Sequence, residues 1–105
     1  MGKLVYGSGI EIDFDDRVLL HLQIAIANKL RLDESFMLSW HDDMSTGGGR
    51  STIWLSQAVP LYFKFFGSKV PTVNTVWIEE LLASANSGTG MILGAEPSAP
   101  PSKKS

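Results

Sequence analysis

Residues 10–31, "IEIDFDDRVLLHLQIAIANKLR", decide the fold, because the spacing of their apolar residues changes once. Over residues 10–14, three apolar residues alternate with two acids, which predicts a half-buried strand. From Asp15 onward, apolar residues recur every three or four positions, which predicts a helix that Asp15 or Asp16 caps. This stretch therefore predicts a chain that mixes strands and helices.

Alternation of apolar and polar residues also marks segments on both sides of this stretch. The further strand segments are residues 3–6, 36–41, 51–56 and 61–66, with a short last one at 91–93. Gly7 to Gly9 predict a hairpin between the first two strands, and the three middle strands predict an antiparallel meander with a bend at Pro60. A second helix follows, with Asn74 as its N-cap and Gly88 as its stop.

The order of these elements, β-β-α-β-β-β-α-β, predicts an α+β fold. We expect an antiparallel sheet of about five or six strands with two helices packed on one face. Residues 1–94 form a single globular domain in this prediction. Residues 95–105 are rich in Pro, Ser and Lys, and we predict a flexible tail there.

The first helix has a wider apolar surface than one contact with a sheet needs. A polar stripe that includes His21 is predicted to face solvent, opposite the apolar stripe. Leu20 and Ile24 lie beside that polar stripe. Two interpretations stay open: the helix is covered on two sides, by the sheet and the second helix, or Leu20 and Ile24 form a self-association surface.

Composition excludes several classes of protein. Of 105 residues, 44% are apolar, which indicates a globular domain, and the formal charge of −2 differs from that of a strongly basic nucleic-acid binder. Without cysteine, the chain has no disulfides or thiolate metal sites, which fits a reducing cytoplasm. No stretch approaches the roughly 18 apolar residues of a membrane span. We therefore expect a cytoplasmic protein without membrane contact.

The stretch "HDDMSTGGGR", residues 41–50, carries residue types that catalytic and metal sites use. Asp42 and Asp43 are adjacent at a strand end, so their side chains point to opposite sides and do not converge with His41 on a metal. The glycines lack the spacing of a phosphate-binding loop, and no strand-turn-helix serine motif is present. We interpret the stretch as a hairpin tip, and we predict no catalytic residue, metal or cofactor.

An aromatic and basic segment suggests a binding face, because no acidic residue occurs from Met44 to Ile78. Alternation puts Tyr62, Lys64 and Phe66 on one face of the sheet. The predicted binding residues are Arg50, Trp54, Tyr62, Lys64 and Phe66. Such a face favours a protein partner or a homodimer, and the alternative is single-stranded nucleic acid held by base stacking and phosphate contacts.

Several stretches together resemble a known family. They are "GKLVYGS", "DDRVLLHLQ", "ESFMLSWHDD", "GRSTIWL", "PLYFKFFG" and "NTVWIEELLASANSGTG". Over about residues 1–94 the chain is similar to small actinobacterial proteins of unknown function that are often labelled "ATP-dependent DNA ligase". The resemblance implies a family of unknown function and brings no catalytic residues.

A ligase of this class needs a nucleophilic lysine in a Lys-x-Asp-Gly motif, and that motif is missing. The nearest lysine, Lys29, precedes Asp33 by four positions, and no glycine follows Asp33. We expect Lys29 to be a solvated charge in the last turn of the first helix. The sequence therefore predicts a small non-catalytic interaction domain rather than an enzyme.

Overall fold

The computed structural model describes residues 2–42 and 47–98. Its elements, in chain order, are β1 (Gly2–Tyr6), β2 (Ile10–Phe14), α1 (Asp16–Arg31), β3 (Phe36–His41), β4 (Arg50–Leu55), β5 (Leu61–Lys64), α2 (Thr75–Ala85) and β6 (Met91–Ile92). The α+β class and the predicted order of strands and helices are confirmed. The six strands do not form one sheet, however, but divide into two sheets of three strands each.

The first sheet has the order β2-β1-β5, and both of its strand pairs are antiparallel. Its centre is Leu4, which is fully buried and pairs with Ile12 on one side and Phe63 on the other. The predicted meander is wrong at β5, which pairs with β1 instead of β4. The chain turns back at Pro60, whose carbonyl accepts a hydrogen bond from Gly7 N at 2.9 Å, so β1 gains a partner on its second edge.

The second sheet has the order β4-β3-β6. The pair of β3 and β4 is antiparallel, as predicted, whereas the short β6 runs parallel to β3. At the start of the connection between β3 and β4, Asp42 N donates to Gly49 O at 2.9 Å. Residues 43–46, part of the predicted hairpin tip, lie outside the described residues.

Helix α1 is buried on a wider arc than the sequence predicted. Leu19, Leu22 and Ile26 of the apolar stripe are buried, and Val18 and Leu30 are half-buried. His21, with no exposed surface, and Lys29, with 6%, are buried as well. The predictions that His21 faces solvent and that Lys29 is solvated are therefore wrong. The reason is that α2 packs against α1 and covers part of the stripe that was predicted to be polar and open.

The start of α1 is joined to the end of β5 by the side chain of Asp16. Its carboxylate accepts from Phe66 N at 2.9 Å and Gly67 N at 2.8 Å, and these backbone hydrogen bonds lower the pKa of Asp16. Asp15 occupies the N-cap position without a capping side-chain hydrogen bond. The Asp16 carboxylate therefore links the helix to the first sheet.

The prediction that Asn74 caps α2 is confirmed. Its side-chain oxygen accepts from Val76 N at 3.1 Å and Trp77 N at 3.4 Å. The helix ends at Ala85, before the predicted stop at Gly88. Neither helix in the described part of the chain is long and apolar enough to cross a membrane.

Candidate interaction surfaces

The outer face of the second sheet, which we call the β3-β4-β6 face, has an exposed apolar end. Trp54 and Met37 are directly opposite each other on β4 and β3, and their exposed fractions are 57% and 37%. Ile92 on β6 is 45% exposed and pairs with Ser39, which points to the same face as Met37. Three apolar side chains therefore stand exposed on one side of a small sheet.

Polar but mostly uncharged residues occupy the rest of the β3-β4-β6 face. Ser39 and Thr52 share a hydrogen bond of 2.9 Å across the middle of the face, and Arg50 pairs with His41 at the end away from Trp54. The alternation puts Met37, Ser39, His41, Arg50, Thr52, Trp54 and Ile92 on this face. Of these seven residues, Arg50 is the only one with a permanent charge.

The outer face of the first sheet is different, because it mixes charges of both signs. Tyr62 is 57% exposed, and Lys64 lies opposite Lys3. Lys3 Nζ lies 3.5 Å from a carboxylate oxygen of Glu11 and 3.7 Å from one of Asp13. Pairing of the strands therefore puts part of the segment that lacks acids on the same sheet face as two acids, with β1 between them.

The structure exposes all five predicted binding residues but does not bring them onto one sheet. The prediction that Trp54, Tyr62, Lys64 and Phe66 point away from the core agrees with their exposure. Trp54 and Arg50, however, belong to the second sheet, whereas Tyr62 and Lys64 belong to the first. Phe66 follows the end of β5 and is 81% exposed.

Leu20 and Ile24, the predicted self-association residues, are half-buried in α1. Leu20 lines a small cavity of about 180 Å³ together with Phe65, Val70 and Pro71. The loop after β5 therefore lies against Leu20 in the same chain. Self-association through these two residues stays a prediction.

A polar network joins the end of the described chain to both helices. Arg17 donates to the two carboxylate oxygens of Glu96 at 2.8 and 2.6 Å and to Thr72 O at 2.7 Å. Asn74 Nδ2 donates to Glu96 and to Pro97 O, both at 2.9 Å. The hydrogen bonds from Arg17 and Asn74 lower the pKa of Glu96 to about 2.

This network bears on the predicted tail. Glu96 and Pro97 belong to the segment predicted to be flexible, yet both contact the domain in the structure. Residues 99–105 of the predicted tail lie outside the described residues. Hydrogen bonds therefore connect Glu96 and Pro97 to Arg17 and Asn74, and the flexibility of the tail stays a prediction.

His21 is the buried centre beside this network, and the sequence prediction missed it. Its Nδ1 lies 2.7 Å from Arg17 O, and its Nε2 accepts from Asn74 N at 2.7 Å. Because Nε2 accepts a hydrogen bond, Nδ1 carries the proton and donates to Arg17 O. The imidazole also packs on Trp77, with ring centroids 4.7 Å apart. His21 thus attaches the start of α2 to α1.

The stretch that resembled a metal or catalytic loop has a structural role where it is described. Asp42 accepts from Trp40 Nε1 at 3.2 Å and from Ser51 Oγ at 2.6 Å, so it holds the ends of β3 and β4 together. Asp43 lies outside the described residues. Within residues 2–42 and 47–98, no group of three or more His, Asp or Glu side chains is arranged to hold a metal ion.

Comparison with protein families shows which family the chain belongs to. The model of the family described as "Domain of unknown function (DUF7882)" matches residues 1–96. The chain belongs to this family. Because the match runs through Glu96, it includes the residue that joins Arg17 and Asn74. No curated protein and no solved structure matches the chain.

Membership in the DUF7882 family names no reaction, so the residues themselves must indicate function. Lys29, the lysine nearest to a ligase-like context, donates to Asn86 Oδ1 at 2.5 Å and forms an ion pair with Glu34. Its ammonium group is thus paired, and its side chain is 8% exposed. A nucleophilic amine needs access to its substrate, and the position of Lys29 does not provide it.

Proposed function

We propose that this chain is a non-catalytic interaction domain that self-associates through the β3-β4-β6 face. One observation carries the proposal: Trp54 is 57% exposed and lies directly opposite the exposed Met37. Tryptophan and methionine are enriched in protein interfaces, and exposed tryptophan is among the residues that contribute most to binding. An apolar pair of this kind is stabilised when a second surface removes it from water.

The distribution of charge favours a second copy as the partner. Interfaces between identical subunits are more apolar than the remaining surface and depleted in charge at their centre. On the β3-β4-β6 face, Arg50 lies at the end away from Trp54, so two apolar ends can meet without opposing like charges. The outer face of the first sheet lacks this property because Lys3 and Lys64 are neighbours there.

The size of the face sets the strength of the expected association. β3 and β4 have six residues each and β6 has two, so the face measures at most roughly 15 by 20 Å, or about 300 Å². This area is less than the ~800 Å² per partner of a standard interface. We therefore expect a weak dimer with a dissociation constant of roughly 10 to 100 μM. Such an equilibrium appears only when the protein concentration is varied over that range.

The nucleic-acid alternative receives less support from the structure. Its basic and aromatic residues on the first sheet, Lys64 and Tyr62, share that face with Glu11 and Asp13. Phosphate groups gain little from a face on which carboxylates accompany the lysines. Binding of a single strand that weakened steeply with salt would favour this alternative over ours.

Ligase activity is likewise no part of the proposal. The label attached to the resembled proteins would require a reactive lysine, and Lys29 is paired with Asn86 and Glu34. We propose that the domain acts by binding alone.

Sedimentation equilibrium of two matched variants tests the proposal. Trp54 and Tyr62 have the same exposed fraction, 57%, but lie on different sheets. Between about 5 and 500 μM, the mass of the wild type should rise from that of a monomer towards that of a dimer. Trp54→Ser should remain monomeric, whereas Tyr62→Ser should associate like the wild type. A wild type that stays monomeric throughout, or equal losses in both variants, would contradict the proposal.

A further inference from the structure

A groove of about 610 Å³ lies between the two sheets. This volume falls within the range of roughly 300 to 1,000 Å³ that is usual for ligand sites. One wall is formed by residues 11–15, and the other includes Trp40, His41 and Asp42. Apolar side chains, among them Ile12 and Phe14, contribute to the lining.

The lining residues show how the groove is oriented. Successive side chains of a strand point to opposite faces, so a groove on either face would be lined by every second residue. Here Glu11, Ile12, Asp13 and Phe14 are consecutive and all line the groove. The groove therefore runs along the edge of β2.

This edge of β2 is available for pairing. In the first sheet β2 is an outer strand, and its only strand partner in the described part of the chain is β1. The backbone N–H and C=O groups on the opposite edge of an outer strand can pair with an added extended segment. β2 spans five residues, which sets the length of a segment that can pair along it.

The charges beside the groove are predominantly negative. The acidic residues that line it are Glu11, Asp13, Asp15 and Asp42. Lys3 is the only cation paired with any of them in the described structure, and it is shared between Glu11 and Asp13. A cationic segment would therefore meet more carboxylates than the chain itself neutralises.

We propose that this groove binds an extended, cationic segment of a partner protein, which adds to β2 as a fourth strand of the first sheet. The alternation of β2 defines the pattern of the segment. Side chains beside Glu11 and Asp13 should be Lys or Arg, and those beside Ile12 and Phe14 should be apolar. The expected segment therefore alternates cationic and apolar residues.

The C-terminal residues of the chain are a second source of cations, with Lys103 and Lys104. They are preceded by Pro100 and Pro101, which have no N–H to donate to a strand ladder. This lack of donors favours a segment from another protein as the occupant. A comparison of the whole chain with a chain that ends at Ser98 separates the two sources.

The test uses a blocked peptide, Lys-Val-Lys-Val-Lys, titrated into the ¹⁵N-labelled whole chain at low salt. We expect saturable shifts in the amide signals of residues 11–15 and 40–42. Three control peptides complete the design: Glu-Val-Glu-Val-Glu, the same composition in the order Lys-Lys-Lys-Val-Val, and the original peptide with its inner amides methylated. Each control should bind at least about tenfold more weakly. The first lacks positive charge, the second lacks the alternation of Lys and Val, and the third lacks backbone N–H donors.

Variants of the chain separate this site from general attraction of charges. Glu11→Gln with Asp13→Asn should weaken binding of the peptide by about tenfold or more. Glu79→Gln with Glu80→Gln changes the net charge equally at exposed positions of α2, outside the groove, and should change affinity less than about twofold. Circular dichroism of both variants checks that the fold is retained.

Four results would overturn the proposal. The first is the absence of saturable shifts, and the second is an equal loss of affinity in the two double variants. The third is binding that appears only after the chain is shortened to end at Ser98, which would assign the groove to the chain's own C-terminal residues. Equal binding of the methylated peptide would also overturn it, because strand addition requires the backbone donors.

Discussion

Replacing His21 with alanine should destabilise the protein strongly, although a histidine on the polar stripe of a helix would ordinarily be exposed. In the structure, His21 has no exposed surface and joins Arg17 O to Asn74 N through hydrogen bonds of 2.7 Å each. His21→Ala removes both contacts and the packing of the imidazole on Trp77. It therefore tests the attachment of α2 to α1.

The magnitude follows from the groups left behind. A buried N–H that loses its acceptor, here that of Asn74, costs about 1–3 kcal/mol, and lost packing on Trp77 adds about 1 kcal/mol. We expect a total of about 3 kcal/mol, which lowers the melting temperature of a domain of this size by roughly 12 to 24 °C.

Urea and thermal unfolding, followed by circular dichroism at neutral pH, measure this loss. The chain supplies its own control, because His41 is exposed and His41→Ala should change the free energy of unfolding by no more than about 0.5 kcal/mol. A loss for His21→Ala as small as that of His41→Ala would refute the buried position of His21.

Four further predictions follow from the contacts described. The folded-state pKa of Glu96 is about 2, below its ordinary 4.5, so the stabilisation that Glu96 provides is complete above pH 4.5 and is lost as the pH falls towards 2. Glu96→Gln should therefore reduce the free energy of unfolding in urea at pH 7, and the difference from the wild type should vanish near pH 2. Tyr62→Ser with Phe66→Ser should together lower the free energy of unfolding by only about 1 kcal/mol, because both rings are exposed, whereas removal of a buried aromatic ring lowers it by about 3–5 kcal/mol. A larger loss of stability by calorimetry would place these rings in the core. Gly90→Ala should lower the free energy of unfolding by more than about 2 kcal/mol, because φ is +81° and the new Cβ would lie 2.8 Å from the backbone oxygen of Met37. As a control, the new Cβ of Gly88→Ala meets no atom within 4 Å, so this variant should unfold with nearly the free energy of the wild type. Incubation with labelled ATP and magnesium should leave the chain without a covalent AMP adduct; an adduct removed by mutation of one lysine would contradict a purely binding role.

Local patterns predicted the elements of this fold well. Alternation in β3 assigns Phe36, Leu38 and Trp40 to one side, and all three are buried. The side chain of Asn74 caps α2 as its residue type and position indicate. These features depend on residues close together in the chain, so the sequence alone contains most of the information needed.

Contacts between distant segments explain what the patterns missed. The pairing of β5 with β1 joins segments about 60 residues apart, and nothing in the alternation of Tyr62 and Lys64 selects β1 over β4. Similarly, His21 and Lys29 look polar and exposed on an isolated helix, but in the fold both are buried, where His21 contacts Asn74 and Lys29 contacts Asn86. Residue type and period do not specify which helix lies against which stripe.

For the candidate surfaces too, local patterns predicted some features, whereas contacts between distant segments determined others. Exposure of Trp54 and Tyr62 could be predicted from alternation, but their separation onto two sheets could not. The sequence has no acidic residue from Met44 to Ile78, yet pairing of β1 with β2 and β5 puts Glu11 and Asp13 on the same sheet face as Lys64. A charge pattern in one segment therefore did not describe the charge of the folded surface.

Dilution of the ¹⁵N-labelled whole chain, followed by amide chemical shifts, tests self-association through the β3-β4-β6 face most directly. Between about 500 and 5 μM, we predict concentration-dependent shifts concentrated at Met37, Ser39, Thr52, Trp54 and Ile92, with little change in β1, β2 and β5. Shifts that are independent of concentration, or that are concentrated in the first sheet, would contradict the account.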